Sequence, residues 1–448
     1  MILRKFGIRW YNVLAELRGR GLVSQVSEPE SQLSSKLISG EKVKLYCGVD
    51  PTARSIHLGN LVPLMVLMHF YVRGHDVVTI IGGATGKVGD PSGRTTERSS
   101  IADETRLDNV SSISGQLERF FQNGLKYYES KLAGETKAGN HIHTNNISWW
   151  KDVKMLDFLA DYGRHIRIQS MLARDSVTAR LNSQNSLGFN EFTYQILQAY
   201  DFYHLNKTYG VSIQVGGNDQ WGNITAGIDL ISRLSGRKQQ AHGITVPLLQ
   251  TATGEKFGKS AGNAVFIDPS ISTSYDIFQF FFNTMDADVP RFLKTFTFLP
   301  IEEIESISEE HMKEPHLRIG QKRLAKEVTD FLYGLGEGEK AEMVSNIIFG
   351  TMADKEKNLS GEQLIDLFSS AGIIQAASKN ESLLSIITRL AACSKSEARR
   401  KLQQGSVYLH PTRIKITEDI NNYDSYLIDD RVLLLRLGKQ KCYVIEMT

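Results

Sequence analysis

Lys42-Val43-Lys44-Leu45-Tyr46-Cys47-Gly48-Val49 runs into the turn Asp50-Pro51-Thr52, and His57-Leu58-Gly59-Asn60 then heads an apolar stretch. The first eight residues alternate and are rich in strand formers, so they are expected to form a buried strand. A helix is expected to begin near His57 and continue through Leu61-Val62-Pro63-Leu64-Met65-Val66-Leu67. Pro63 would fit its first turn, where a missing N–H costs little. Asp76-Val77-Val78-Thr79-Ile80-Ile81 reads as a second strand, entering the loop Gly82-Gly83-Ala84-Thr85-Gly86. Strand, helix, strand in that order predicts a parallel sheet with a right-handed crossover, hence an α/β nucleotide-binding core. Ligands of such sheets sit beyond the carboxyl ends of the strands, where both glycine-bearing loops fall.

The rest of the chain extends this core. Ser100 to about Arg180 reads as mostly helical, with a polar surface insertion over Lys131 to Asn145. Gly210 to Gly217 is a further strand, with Asn218-Asp219-Gln220-Trp221-Gly222-Asn223 at its end. After Asp268-Pro269-Ser270 the composition shifts to a helical block without strand runs. The expected division is a possible targeting extension at 1–12, a catalytic domain at 13–265, a helical domain at 266–370, a linker at 371–380 and a small α+β domain at 381–448. With 448 residues the chain is too long for one typical core, and roughly two to four domains are expected from length alone.

Composition narrows the class. The apolar fraction of 41% and charged fraction of 23% are those of an ordinary globular protein. No run approaches the roughly 18 apolar residues that a membrane span needs, so no membrane partner is expected. The net charge of +2 means that any nucleic acid must be met by local patches rather than by the overall field. Cys47, Cys393 and Cys442 are far apart and odd in number, which argues against a disulfide framework or a zinc site. Met1 to Gly21 carries Arg4, Lys5, Arg9, Arg18 and Arg20 against Glu16 alone. That acid-poor character fits a mitochondrial targeting segment; the other reading is an amphipathic first helix around Val13-Leu14-Ala15-Glu16-Leu17.

Two short stretches carry the chemistry: His57-Leu58-Gly59-Asn60 and, far downstream, Lys256-Phe257-Gly258-Lys259-Ser260. A helix start attracts anions through free N–H groups and the helix dipole, and His57 there can donate to phosphate oxygens. Gly59 removes a side chain that would block a nucleotide lying against the helix. A glycine between two lysines suits a loop that closes on phosphate. Either stretch alone is an ordinary surface histidine or a basic turn; in this order they resemble the two ATP-handling signatures of class I aminoacyl-tRNA synthetases. Gly83-Ala84-Thr85-Gly86-Lys87 is not a P-loop, because Ile81 stands where the motif's first glycine belongs and Val88 follows the lysine.

The resemblance is to the bacterial-type tyrosyl-tRNA synthetases, the organellar branch in particular, and it runs nearly end to end. Its most specific pieces are Tyr46-Cys47-Gly48-Val49-Asp50-Pro51-Thr52-Ala53, Gly89-Asp90-Pro91-Ser92-Gly93-Arg94, Tyr194-Gln195-Ile196-Leu197-Gln198-Ala199-Tyr200-Asp201 and Gly216-Gly217-Asn218-Asp219-Gln220-Trp221-Gly222-Asn223-Ile224. It implies a class I Rossmann-like parallel-sheet core, an α-helical anticodon-side domain and an S4-like RNA-binding tail.

It also implies roles. Tyr46 and Asp201 match the pair that hydrogen-bonds the phenol of L-tyrosine; phenylalanine would leave both groups unpaired. This family is itself a known instance of such discrimination without editing, so no editing domain is expected. Asp90, Tyr194 and Gln198 match the holders of the α-amino group, and Gln220 matches a residue near the reacting carboxylate. Asp50, Cys47, Gly48, Gly59, Asn60, Gly217 and Asp219 match ATP-binding positions. His57, Thr52, Lys256, Lys259 and Ser260 match the phosphate-stabilising set, joined by Arg94 and Arg98 on a loop where many relatives carry Lys and Arg. Arginine offers a wider fork than lysine, so the charge carries over more securely than the geometry. Asn60 stands where many members have a second histidine; it can donate but cannot carry charge.

The resemblance further implies ATP as a substrate with Mg²⁺ on its phosphates, no tightly bound protein metal, tRNA(Tyr) as acceptor and a homodimer. In the tail, Ser394-Lys395-Ser396-Glu397-Ala398-Arg399-Arg400-Lys401-Leu402 reads as a capped basic helix, and Lys395, Arg399, Arg400 and Lys401 are its RNA-binding candidates. The mitochondrial matrix is the expected compartment, with a bacterial cytoplasm as the alternative. Two rivals stand beside the tyrosine reading. A tryptophan enzyme is disfavoured by Asp201 with Tyr46 and by the Tyr194/Gln198 spacing. An RNA-binding or intron-splicing cofactor is disfavoured by the retention of His57, Lys256 and Lys259.

Overall fold

Numbered along the chain, β1 (Gln25–Val26), β2 (Lys44–Val49), β3 (Asp76–Ile81), β4 (His141–Asn145), β5 (Ile213–Gly217) and β6 (His242–Val246) form one sheet in the order β1-β6-β5-β2-β3-β4. The five strands from β2 to β6 pair in parallel, and the short β1 runs antiparallel to β6. The computed structural model describes residues 12–93, 96, 101–131, 136–182, 187–236, 240–250, 254, 265–349, 359–409, 414–438 and 441–448.

The chain divides into two compact units, Met1–Asp268 with Met285–Gly320, and Pro269–Thr284 with Gln321–Thr448. Residues 285–320, read from sequence as part of the helical block, therefore pack with the first unit.

The helices used below are α1 (Val13–Gly19), α2 (Leu58–Tyr71), α3 (Asp103–Lys131), α4 (Phe189–Tyr209), α5 (Trp221–Leu234) and α6 (Val289–Phe296). α2 is apolar all round, which marks a buried helix, and Leu61, Leu64, Met65, Val66, Leu67, Met68 and Phe70 are fully enclosed. Pro63 lies inside α2 rather than in its first turn. The carbonyl of Gly59 consequently has no N–H donor four residues on. α4 stops at Gly210, whose φ of 70° is the left-handed closure that glycine adopts freely.

α1 settles part of the amino-terminal reading. Arg20 is buried, donates to Glu16 at 2.8 Å and to the carbonyls of Thr297 (3.0 Å) and Leu299 (2.8 Å), and Glu16 also pairs with Arg73. Removing one partner of such a buried pair costs about 3–5 kcal/mol, so Arg20 belongs to the fold. Residues 1–11, with Arg4, Lys5 and Arg9, lie outside the described residues.

β4 corrects a second expectation. The polar stretch read as a surface insertion contains the edge strand of the sheet, paired along its length with β3. Its histidines gave it a polar look, but Thr79 Oγ1 lies 2.9 Å from His141 and 3.0 Å from His143, tying both rings to β3.

In the second unit, β7 (Gln375–Ala377), β8 (Val407–Leu409), β9 (Ile414–Ile416), β10 (Leu427–Ile428), β11 (Val432–Leu437) and β12 (Lys441–Met447) form a sheet in the order β7-β12-β11-β8-β9, with β10 on β11. The segment expected to be a linker contains β7, which adds to β12 in parallel. Helices α7 (Leu383–Leu390) and α8 (Lys395–Gln403) complete this small α+β body, with Leu383, Ile386, Ile387, Leu402, Leu433 and Leu435 in its core. No helix among the described residues is long and apolar enough to cross a membrane.

Candidate active site

From β2 the chain moves outward to β3 and β4, and from β5 to β6 on the other side, so the strand order reverses between β2 and β5. Ligands of open α/β sheets bind at such a point. A cavity of about 350 Å³ opens there, lined by the ends of β2 and β5, by the loop after β3 and by the start of α2. Gly82 lets the loop after β3 approach β2: a Cβ there would lie 1.9 Å from Asp50 Oδ1.

At the buried end stand Tyr46 and Asp201, 1% and 4% exposed. Asp201 Oδ1 accepts the indole N–H of Trp149 at 2.8 Å and of Trp150 at 2.7 Å, while Oδ2 accepts the Asn146 amide at 3.0 Å. Burial pushes the Asp201 carboxyl up to about 7, against the pull of those three donors. The Tyr46 ring packs on Phe202 at 5.2 Å, and its hydroxyl has no hydrogen-bond partner among the described residues. Burial first, then the charge of Asp201, raises the Tyr46 phenol well above its ordinary value. A buried hydroxyl beside a carboxylate is costly to leave incomplete, so a hydroxyl-bearing ligand fits here.

The middle of the pocket is an acceptor-rich cage. Asp90, 6% exposed, accepts Gln220 Nε2 at 2.7 Å and the N–H of Ser92 at 2.9 Å. Gln198 donates to Gln220 at 3.3 Å, and Asn223 donates to Gln198 at 3.1 Å. The Tyr194 hydroxyl donates to Asp50 Oδ2 at 2.7 Å, and Thr85 donates to Asp50 Oδ1 at 3.0 Å. A carboxylate ringed by neutral amides and hydroxyls suits a compact ammonium group.

At the outer end His57 is the N-cap of α2. Asn60 Oδ1 accepts the backbone N–H of His57 at 3.3 Å, so the residue that replaces a second histidine helps to cap the helix. Burial lowers the pKa of the His57 ring, leaving it neutral at neutral pH. Burial raises Cys47 to about 12, so it is a thiol that can donate weakly and not a nucleophile. Gly48, Gly59, Gly217 and Asp219 line the same end, with Thr52 exposed at its rim.

Structure thus gathers Tyr46, Cys47, Gly48, Asp50, Thr52, His57, Gly59, Asn60, Asp90, Tyr194, Gln198, Asp201, Gly217, Asp219 and Gln220 around one cavity. Arg94, Arg98, Lys256, Lys259 and Ser260 lie outside the described residues. Lys87 is half-exposed and pairs with Asp103 at 3.6 Å. In the second unit Lys395, Arg399 and Arg400 are exposed on α8, while Lys401 is partly covered and pairs with Glu397 at 3.0 Å. The sequence reading missed Asn146, Trp149, Trp150 and Asn223. The first three follow β4, so recognising that strand would have placed them at the mouth of the sheet.

A parallel α/β domain with an ammonium-sized cage and a histidine-headed helix at its switch point has the design of a class I aminoacyl-tRNA synthetase core. Residues 39–350 match the family described as tRNA synthetases class I (W and Y), and the chain belongs to that family. It is 64% identical over 440 residues to the mitochondrial tyrosine–tRNA ligase of Saccharomyces cerevisiae, covering 97% of this chain and 89% of that protein. It is 40% identical over 439 residues to the tyrosine–tRNA ligase of Lactobacillus acidophilus, covering 98% and 99%. The solved C-terminally truncated mitochondrial tyrosyl-tRNA synthetase of Aspergillus nidulans superposes with a TM-score of 0.69 at 35% identity, over 75% of this chain and 94% of that one.

Proposed function

We propose that the chain activates L-tyrosine with ATP to tyrosyl-adenylate and transfers the tyrosyl group to tRNA(Tyr). The observation that carries the choice of amino acid is the buried pair of Asp201 and Tyr46, a carboxylate and a hydroxyl without a partner among the described residues, lining one cavity. Tryptophan has no hydroxyl for them and phenylalanine would leave both unpaired.

In this reading the phenol donates to Asp201 and meets the Tyr46 hydroxyl, while Asp90, Tyr194 and Gln198 hold the ammonium and Gln220 steadies the carboxylate. The nucleotide lies along Cys47, Gly48, Asp50, Gly59, Asn60, Gly217 and Asp219. The tyrosine carboxylate attacks the α-phosphate, and the charge developing on pyrophosphate is met by His57, Thr52, Lys256, Lys259, Ser260, Arg94 and Arg98. Positioning and electrostatic stabilisation suffice; no covalent nucleophile is needed.

Mg²⁺ would come with the triphosphate. The pocket's carboxylates fit that arrangement rather than a resident ion: Asp50 is engaged by Tyr194 and Thr85, and Asp90 by Gln220 and Ser92. Bound there, the ion would shield phosphate charge.

The same reading gives the helical segments an anticodon-side role and the second sheet, with Lys395, Arg399, Arg400 and Lys401, an RNA-binding role. A homodimer is supported by a run of exposed apolar side chains in the first unit, Met155, Leu156, Leu159, Ile168, Leu172 and Phe189. The mitochondrial matrix is supported by the yeast relative, itself a mitochondrial enzyme.

The test is ATP–pyrophosphate exchange by the purified protein with tyrosine, tryptophan and phenylalanine. Exchange with tyrosine alone is expected. Folded protein that exchanges with none of the three, or with tryptophan instead, overturns the reading.

A further inference from the structure

We infer that Gln116, on α3 and outside the substrate pocket, is a positioning residue that fixes the register between the His57 segment and the backbone at 265–268. The inference rests on the tyrosine-activating reading, because that backbone is where the chain emerges from the lysine segment Lys256–Ser260.

Gln116 is 1% exposed and every polar atom of its side chain is engaged. Its Oε1 accepts the N–H of Ile56 at 2.9 Å and the hydroxyl of Ser55 at 3.0 Å. Its Nε2 lies 3.1 Å from the carbonyl of Arg54, 3.2 Å from Asp268 Oδ2 and 3.0 Å from Ser112 Oγ. The amide orientation is fixed by chemistry: Ile56 N–H can only donate and the Arg54 carbonyl can only accept. One buried side chain thus grips three consecutive residues just before His57 and, through the same amide, the residue that closes the 265–268 stretch.

Those two stretches are also laced to each other. Ile267 N–H donates to the Ile56 carbonyl at 3.0 Å, Leu58 N–H donates to the Val265 carbonyl at 3.1 Å, and His57 and Phe266 stand opposite in an antiparallel bridge. The N–H of Asp268 donates to Ser55 Oγ at 3.2 Å, and Ser112 donates to Asp268 Oδ2 at 3.1 Å. The His57 signature and the stretch at 265–268, downstream of the lysine segment, therefore share one seam, and α3 supplies its key. A buried network with every member satisfied holds geometry tightly, and the loss of one member leaves several groups unpaired. Gln116 touches no substrate position, so its effect is expected only where the two segments must act on the same phosphates.

Gln116→Met keeps the volume and deletes all of these hydrogen bonds, while Gln116→Glu keeps the Oε1 contacts and removes the donor. When ionised, the new carboxylate faces Asp268 and the Arg54 carbonyl, with Arg54 Nε 4.0 Å from Asp268 as the cation on that side. When protonated, it can donate as the amide did. The expected result for Gln116→Met is a fall in exchange kcat on the order of 10–100-fold, the scale of a misplacement of about 1 Å. The KM for tyrosine, and transfer from preformed tyrosyl-adenylate to tRNA, should stay within about twofold of native. Gln116→Glu should recover exchange relative to native as pH falls, which a packing defect would not do.

If both variants exchange at the native rate, the positioning role is wrong. If exchange, tyrosine binding and tRNA transfer fall together with the melting temperature, Gln116 is merely structural. A native protein that fails to exchange at all strikes the activation reading instead.

Discussion

At the buried end of the pocket one carboxylate oxygen of Asp201 already holds two indole donors, whereas at the outer end the His57 ring lines the cavity beside the start of α2. The first arrangement is finished before any ligand arrives and leaves only a lone pair on Oδ2 and the Tyr46 hydroxyl to be completed. In the proposed reading the second is completed only when the triphosphate binds. Interactions present equally in the ground and transition states give affinity and selection, while rate comes from those made only as charge develops. The comparison assigns selection to the dry end and acceleration to the wet one, and substitutions at each should separate in kinetics.

The largest effect is expected at the outer end. His57→Ala should lower exchange kcat on the order of 10²–10³-fold, as for loss of one donor to a developing charge, with the KM for tyrosine within about twofold of native. A raised tyrosine KM with kcat intact would break the assignment. Next comes Asp201→Asn. A charged acceptor is worth about 1.5–3 kcal/mol, so the ratio of kcat/KM for tyrosine to that for phenylalanine should fall roughly 10–100-fold. An unchanged ratio would remove Asp201 from recognition. Tyr46→Phe should be milder: about 1 kcal/mol, a rise of roughly fivefold in tyrosine KM with kcat nearly constant, the mark of uniform binding.

The same contrast explains what could be read from the chain beforehand. β2, β3 and α2 were plain because their apolar pattern is local and strong, and the glycine loops mark the carboxyl ends of strands. Every pocket residue expected from resemblance within the described part lines the cavity, since those motifs are contiguous in sequence. The support behind them was hidden. Asn146, Trp149 and Trp150 reach Asp201 across more than fifty residues, from the turn that follows a strand whose histidines made it look like surface. Gln116 sits on an ordinary amphipathic helix, and nothing local distinguishes it from a solvated glutamine. β7 was lost because three residues carry no periodicity; only pairing with β12 makes them a strand. Long-range polar partners are chosen by the fold, and single-sequence patterns do not record them.

Trp150 provides the finest probe of the buried end. Its indole N–H donates to Asp201 Oδ1 at 2.7 Å, and its ring packs on Tyr200 at 4.9 Å and Phe158 at 5.4 Å, so Trp150→Phe removes the donor while keeping an aromatic in place. The groups whose charge acts on Asp201 include Asp50, which raises its pKa, while Asn146, Trp149 and Trp150 lower it by hydrogen bonding. The ionised carboxylate accepts the phenol, so the native KM for tyrosine should climb as pH falls through about 7, where Asp201 takes up a proton. Deleting one donor withdraws support from the charged form alone. The folded pKa must then move up, and by about half to one pH unit for a hydrogen bond of about 1 kcal/mol. Near pH 7.5 the variant's KM should therefore exceed the native value roughly 1.5- to 3-fold, with the two curves drawing together towards pH 9. A uniform rise at every pH would mean that Trp150 only fills space, and the finished network at the buried end would then be the work of Trp149 and Asn146.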